Sequence, residues 1–471
     1  MAISNGNGTV ANGNGAEDYA SLATTSPAPA SMVVDDIAND RFYVDRRIFS
    51  DPGIFDLEMK RIFESGWVFL GHESQIAKPG DFITGRIGRV PVIVNRKPSG
   101  EIGALVNSCA HRGAMLTRAA KGNSAGFVCP YHGWCYDDAG KNVKVIGRES
   151  GDYPGHFDDE NHDLVKVPRV ESYRGFIWGS LNPEVSDLTD YLGQARNMID
   201  LLVDQAPNGL EVLRGSSTYT YKANWKLQME NGVDGYHFPI VHASYLMLAN
   251  RRARAGKLNT MDPRPFDKLR TGCYDLGGGH SMIWLSLPNP QDRPSYDRRD
   301  ELIARYGEER FAWMMDRMRN LCIFPNVQLM DQTSSQIRMF TPIAPNLTEV
   351  RIYCIAPIGE GAKNRALRLR QYEDFFNASG LGTADDLAVF EACQVGYDGA
   401  YGRFQQAYDR GIGSMTAGPD EEASKIDFQP AASSSDTTHE ILYHGPYRHW
   451  LKMMAEHPES AAATSEEHQA R

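Results

Sequence analysis

The sequence predicts an α+β protein in two parts, a small antiparallel β domain followed by a larger domain of mixed strands and helices. Three observations carry this. Over residues 80–182 apolar residues recur with period two between glycine-rich turns. Beyond them the spacing becomes that of amphipathic helices. Among those helices, residues 349–356 (EVRIYCIA) read as a buried strand.

The elements follow in order. Residues 1–38, rich in Gly, Asn, Ala and Pro, offer little to bury and are expected as a disordered tail, with order beginning near Asp40. Residues 56–66 mix Leu57, Met59, Ile62 and Phe63 with charges at helical spacing and predict a short helix. Phe82-Ile83-Thr84-Gly85-Arg86-Ile87 alternates and Pro91-Val92-Ile93-Val94 is nearly continuous, which predicts two strands. Residues 191–204 predict a helix and residues 212–225 a strand; residues 301–320, 366–377 and 386–408 predict three more helices. There is no internal repeat. The expected domains are residues 39–190 and 191–457, with the helical extension of the first packing on the second, and residues 458–471 as a second tail.

At 471 residues the chain is long enough for two cores. Its formal charge of −11 argues against nucleic acid or an anionic membrane surface, since either selects a basic face. The same charge gives an anionic substrate no general attraction, so a carboxylate would need a local donor. No apolar run approaches the roughly 18 residues of a membrane span. The first 34 residues lack Lys, Arg and an apolar core and do not read as a signal peptide. Seven cysteines, an odd number without secretion signals, do not suggest a disulfide framework, and the cytoplasm is the expected location.

The cysteine spacing carries chemistry. Cys109-Ala110-His111 and Cys129-Pro130-Tyr131-His132 stand 17 residues apart, one Cys and one His per loop. A structural zinc site accepts the same ligand types, but more often as a C-x-x-C pair and a separate His pair. The mixed arrangement suits a 2Fe-2S cluster with two thiolates on one iron and two imidazoles on the other. Gly113 and Gly133 follow the histidines, where the backbone must fold tightly.

The second constellation is Glu230-Asn231-Gly232-Val233-Asp234-Gly235-Tyr236-His237, then His242. On an ideal helix residues i and i+5 lie well apart on the wheel, so two unrelated imidazoles satisfy the spacing alone. Pro239 breaks the hydrogen-bonding pattern between them and can let both rings converge.

These motifs resemble the large subunits of Rieske-type non-haem iron ring-hydroxylating oxygenases, over residues 40–450. The stretches GLEVLRGSSTYTYKANWKL, RNLCIFPNVQLMDQTSSQIR, EVRIYCIAPIGE and RQYEDFFNASGLGTADDL resemble in particular the benzoate and toluate 1,2-dioxygenase group and relatives acting on anthranilate or halobenzoates. The resemblance implies an antiparallel β Rieske domain and a catalytic α+β domain with a central antiparallel sheet. It implies that Cys109, His111, Cys129 and His132 hold the cluster, and that His237, His242 and Asp386 form the two-His-one-carboxylate triad of a mononuclear Fe(II). Asp385 is then a helix cap or outer support; both acids also serve simply as helix-start residues. Asp234 would link His237 to a cluster histidine of a neighbouring subunit, His132 rather than His111, which implies an oligomer. Asn231 and Tyr236 are pocket candidates. Unlike the respiratory type, no extra Cys follows His111, although Cys135 follows His132, and Trp134 stands where that type has a Ser hydroxyl. Fewer donors near the sulfurs imply a lower potential.

The implied reaction adds both atoms of dioxygen to the ring of a benzoate-like acid, giving a cis-dihydrodiol. Electrons come from NADH through a flavin and iron-sulfur reductase carrying FAD. A small β subunit in an α3β3 hexamer is expected. Residues 243–286 depart from the benzoate pattern and should line or cover the pocket. Arg251, Arg252, Arg254 and Arg264 are candidates for a substrate carboxylate, or solvated surface arginines. Rival readings are a Rieske monooxygenase or demethylase, an electron carrier holding only the cluster, and a zinc-dependent module.

Overall fold

Period-two patterning buries one face of a sheet and leaves the other for different work, and the second half of the chain builds such a sheet around the site. The structure, a computed structural model, describes residues 28–255, 269–399 and 404–455. Ten antiparallel strands run in the order Leu210–Val212, Leu347–Pro357, Ser335–Ala344, Val327–Asp331, Arg317–Ile323, His280–Ser286, Thr271–Gly277, Ala432–Ser434 and Thr416–Ala417, with Ser217–Tyr221 also paired to Leu347–Pro357. One face buries Met282, Trp284, Leu321, Leu329, Ile337 and Met339 in an apolar core. The alternate residues Ile283, Met318, Asn320, Met330 and Arg338 look the other way, into a cavity.

The first half contributes to four smaller antiparallel sheets, three of them wholly its own. Val90–Arg96 pairs with Asp81–Ile87 and with Ile102–Val106, and Cys135–Asp137 pairs with Gly126–Val128 and with Asn142–Lys144. The third sheet, Val68–His72 with Phe176–Ser180 and Arg169–Tyr173, presses against the large sheet. Trp67, Phe69, Phe176 and Trp178 enter the core of that sheet, and Asn326 accepts from Phe69 N (2.9 Å) while donating to its carbonyl (3.2 Å). The α+β architecture with a β domain first and a central antiparallel sheet second is therefore as expected.

Several elements differ from expectation for identifiable reasons. The helix over residues 191–204 is cut at Gly193 (φ 45°) into Leu188–Leu192 and Ala195–Val203. Residues 301–320 make two helices, Arg299–Tyr306 and Glu308–Met315, split at Gly307. Arg317–Asn320 instead joins the strand Arg317–Ile323, because neighbours on both sides satisfy its backbone groups. The last long helix spans Thr383–Asp398, and Gln405–Ala407 is a strand paired with Arg41–Asp45. Residues 212–225 yield only the strand Ser217–Tyr221; Asn224 then accepts from Lys226 N (3.1 Å) and caps the helix Trp225–Asn231. Residues 33–36, expected within the N-terminal tail, are instead a strand, since Val33–Asp36 pairs with Arg41–Asp45. The remaining expected tail residues lie outside the described residues.

Elements from both halves of the chain reach the site helix Trp225–Asn231. The Glu58 carboxylate, on the helix Pro52–Glu58, accepts from Lys226 Nζ (2.6 Å), Trp225 Nε1 (2.9 Å) and Trp450 Nε1 (2.7 Å), and Trp450 belongs to the C-terminal helix His444–Ala455. Lys226 and Glu58 are fully buried as a pair. Glu230, at the other end of the same helix, accepts from Tyr408 (2.6 Å) and from Tyr447. Among the described residues no helix is long and apolar enough to cross a membrane.

Candidate functional site

The two cysteine loops are built alike. Gly113 N donates to Cys109 O (2.8 Å) and Gly133 N to Cys129 O (3.0 Å); Cys109 N donates to Ala114 O (2.9 Å) and Cys129 N to Trp134 O (2.8 Å). Both glycines sit at φ 71°, a left-handed conformation that a side chain would strain. The second loop is the turn of the hairpin Gly126–Val128 and Cys135–Asp137, so sheet pairing sets its geometry. Cys109 and Cys129 are buried, and all seven cysteines are free. The rings of His111 and His132 lie 4.6 Å apart, and each has a buried Nδ1 with no hydrogen-bond partner. Trp134 stacks on His111 at 4.9 Å. The Tyr136 hydroxyl stands 3.2 Å from Cys109 Sγ, and burial, with the nearby Cys109, raises its pKa, so it keeps its proton and can donate to the sulfur. The sequence reading, which counted few donors here, missed this one.

The second centre comes from separate elements. Phe238–Val241 is a single short helical turn with Pro239 in its first positions, and it ends at His242 (φ −97°, ψ 26°) before the helix Ala243–Arg254 begins. That break turns His242 toward His237, bringing the ring centroids to 5.2 Å. Asp386, in the first turn of Thr383–Asp398, directs Oδ1 to His242 Nε2 (3.2 Å) and His237 Nε2 (3.4 Å). Asn231 Nδ2 donates to the same Oδ1 (3.1 Å) and lies 3.2 Å from His237 Nε2. Among the described residues, His237, His242 and Asp386 are the group whose ligand atoms all lie within 4.8 Å of one another. The four loop residues do not make a second such group among the described residues. Gly235 allows a close approach: an added Cβ would meet Thr437 O at 2.5 Å.

Asp234 Oδ2 lies 3.1 Å from His237 Nδ1, off the line of the ring N–H, and its Oδ1 accepts from Tyr236 N (2.6 Å). Burial alone would lower the pKa of His237, but its contacts with Asp234 and Asp386 raise it to about 9. Burial would raise that of Asp386, and the two histidines instead hold it well below the usual carboxylate range.

The triad opens into a cavity between the sheet and these helices. Ile283, Leu285, Met318, Met330, Phe375 and Phe376 make it largely apolar, and Asn231, Asn320, Gln332 and Arg338 add polar groups. Tyr236, expected in the pocket, is half exposed, lies under the Arg410 guanidinium (4.2 Å) and does not line the cavity. Asp385 is not the helix cap, a position held by Gly382; its carboxylate lies 3.7 Å from His242 Nδ1. Arg252 pairs with Asp374 (2.6 Å) and Arg251 is exposed, so neither lines the cavity. The side chain of Arg254, and all of Arg264, lie outside the described residues. The arginine on the cavity wall is Arg338, whose sequence signal was a charge in the middle of a strand that is otherwise buried.

Two centres of these kinds in one chain define a class, the Rieske-type non-haem iron proteins, and known proteins narrow it. Residues 66–154 match the Rieske [2Fe-2S] domain, and residues 211–456 match the ring hydroxylating alpha subunit (catalytic domain). The chain belongs to this family of ring-hydroxylating alpha subunits. It is 44% identical to the 2-halobenzoate 1,2-dioxygenase large subunit of Burkholderia cepacia, over 92% of this chain and 95% of that one. It is also 44% identical to the toluate 1,2-dioxygenase subunit alpha of Pseudomonas putida, over 90% and 93%. The crystal structure of naphthalene 1,2-dioxygenase from Rhodococcus sp. bound to indole superposes with a TM-score of 0.77 at 27% identity, covering 88% and 95%. The Rieske domain implies a 2Fe-2S cluster and the catalytic domain a mononuclear iron. The residues fit both. Two buried imidazole nitrogens without partners and two buried thiols suit the cluster, and three converging ligand atoms suit a single ion with positions left open.

Proposed function

We propose that this chain is the terminal oxygenase large subunit of a system that adds both atoms of dioxygen to the ring of a benzoate-like acid, giving a cis-dihydrodiol. The observation that carries the reading is the His237, His242 and Asp386 triad opening into an apolar cavity, in a chain 44% identical to a 2-halobenzoate 1,2-dioxygenase large subunit.

When bound, the cluster supplies single electrons and the mononuclear iron activates dioxygen. The chain's own residues do the rest. His237, His242 and Asp386 hold the iron, and Asn231 steadies the shared Asp386 oxygen. Cys109, Cys129, His111 and His132 would hold the cluster. The cavity walls exclude water from the ring and fix its position. Asp234 lies beside His237 Nδ1 and, partly exposed, faces a cluster histidine, His132 before His111, of a neighbouring subunit. Exposed apolar side chains on both surfaces support that contact: Val128, Tyr131 and Ile146 near the cluster loops, Tyr236 and Ile240 near the triad. Three such chains with three small β subunits form the assembly, in the cytoplasm, fed from NADH by a flavin and iron-sulfur reductase.

The test is product analysis under labelled dioxygen with a panel of benzoates, using the chain with its β subunit and a compatible reductase. Two labelled oxygen atoms in a dihydrodiol are expected. One labelled atom, or no panel member consumed, defeats the reading.

A further inference from the structure

We propose that Arg338 receives the carboxylate of the substrate and so decides which edge of the ring faces His237, His242 and Asp386; this rests on the reading of the substrate as an aromatic acid. Arg338 lies in the strand Ser335–Ala344, is 2% exposed, and lines the cavity that the triad opens into.

Its isolation is the main argument. Five arginines are buried among the described residues: Arg293, Arg317, Arg319, Arg338 and Arg368. Four are paired with carboxylates. Arg293 (2.6 Å) and Arg319 share Asp331, Arg317 holds Glu422, and Arg368 holds Glu360 (2.7 Å). Arg338 has no such partner among the described residues, and its Nε is buried without a hydrogen bond. The cavity's own carboxylates are occupied: Asp386 by His237, His242 and Asn231, and Asp234 by His237 and a backbone N–H. Burying a cation without a counter-charge is costly. A fold gains from keeping one where a ligand brings the counter-charge with it.

The chemistry of the wall defines that ligand. A guanidinium offers parallel N–H donors that match a carboxylate's two oxygens. Around it Ile283, Leu285, Met318, Met330 and Phe375 suit an aromatic ring rather than a polar chain. In a chain of net charge −11 a local cation also overcomes the general repulsion of an anion.

The test uses the assembled oxygenase with its β subunit, as wild type, Arg338→Met and Arg338→Lys. Binding of benzoate and of its neutral counterpart benzamide is measured by anaerobic equilibrium dialysis, and turnover with the reductase. The visible spectrum of the cluster and the iron content report folding. Arg338→Met should weaken benzoate binding about a hundredfold or more, with benzamide changed less than about threefold. Arg338→Lys keeps the charge and loses the fork, so about a tenfold loss confined to benzoate is expected. If Arg338→Met fails to assemble, the lysine variant decides alone. Variants that bind benzoate like wild type, or lose both ligands equally, overturn the assignment while wild-type turnover of acids leaves the proposed function standing. A wild type that binds no aromatic acid overturns the proposed function, and the assignment falls with it.

Discussion

The turns from Cys109 to Gly113 and from Cys129 to Gly133 are the same structure made twice, each closed by its own backbone hydrogen bonds and one left-handed glycine. The triad has no such local frame. His237 and His242 meet because a four-residue helix ends between them, and Asp386 arrives from a helix packed alongside. The first centre is therefore stiff by sequence, and the second by tertiary packing. Damage at the cluster loops should stay local, whereas damage at the triad should report on how distant elements are held together.

The sharpest way to break this contrast is Asp386→Ala. Removing the shared carboxylate should empty the iron site and cut turnover well beyond the 10–100-fold typical of outer-shell losses, with the cluster spectrum unchanged. Metal analysis beside the visible spectrum checks this; loss of both centres together would show that they are not independently built. Asp234→Ala comes next. Both centres should fill normally while turnover falls about a hundredfold or more, since in the proposed function the residue connects the centres and holds neither metal. Normal turnover in that variant would remove the connecting role.

The metal-free triad offers a gentler probe. His237 keeps its proton to about pH 9, above the usual 6.5, through Asp234 and Asp386. A raised pKa stabilises the folded metal-free chain below 6.5, and that contribution is lost as pH rises through about 9. Ferrous ion must displace the proton, so its affinity should rise roughly tenfold per pH unit across that window. Titrating metal-free protein at several pH values tests the slope, and a flat response would mean that His237 is already neutral. The smallest effect belongs to Tyr136→Phe. Losing one donor to Cys109 Sγ should lower the cluster potential by about 40 mV, taking ~1 kcal/mol for the hydrogen bond and one electron. Redox titration of the cluster decides it.

The same contrast explains what could be read from sequence. C-x-H and C-x-x-H are local facts about two turns, and the glycines that close them stand in the sequence beside the ligands. Period-two patterning likewise revealed the β domain. His237 and His242 were visible as residues, but their convergence depends on where a short helix stops, and Asp386 was reachable only through resemblance. Arg317–Asn320 read as helix because its apolar spacing continues that of Glu308–Met315, and only pairing with strands distant in sequence makes it extended. Arg338 escaped for the same reason. A lone charge in the strand Ser335–Ala344 looks like any other buried arginine until the strands around it show that no acid accompanies it.

The clasp of Glu58, Lys226 and Trp450 has a practical side. The helix that carries Asn231 is fastened by Glu58 from the first part of the chain and, through Glu58, by Trp450 from the helix His444–Ala455, so elements far apart in sequence are structural members of its reaction chamber. Trimming the C-terminal helix back past Trp450 removes a rivet, and the loss would surface as poor iron retention in a chain whose ligands are all still present.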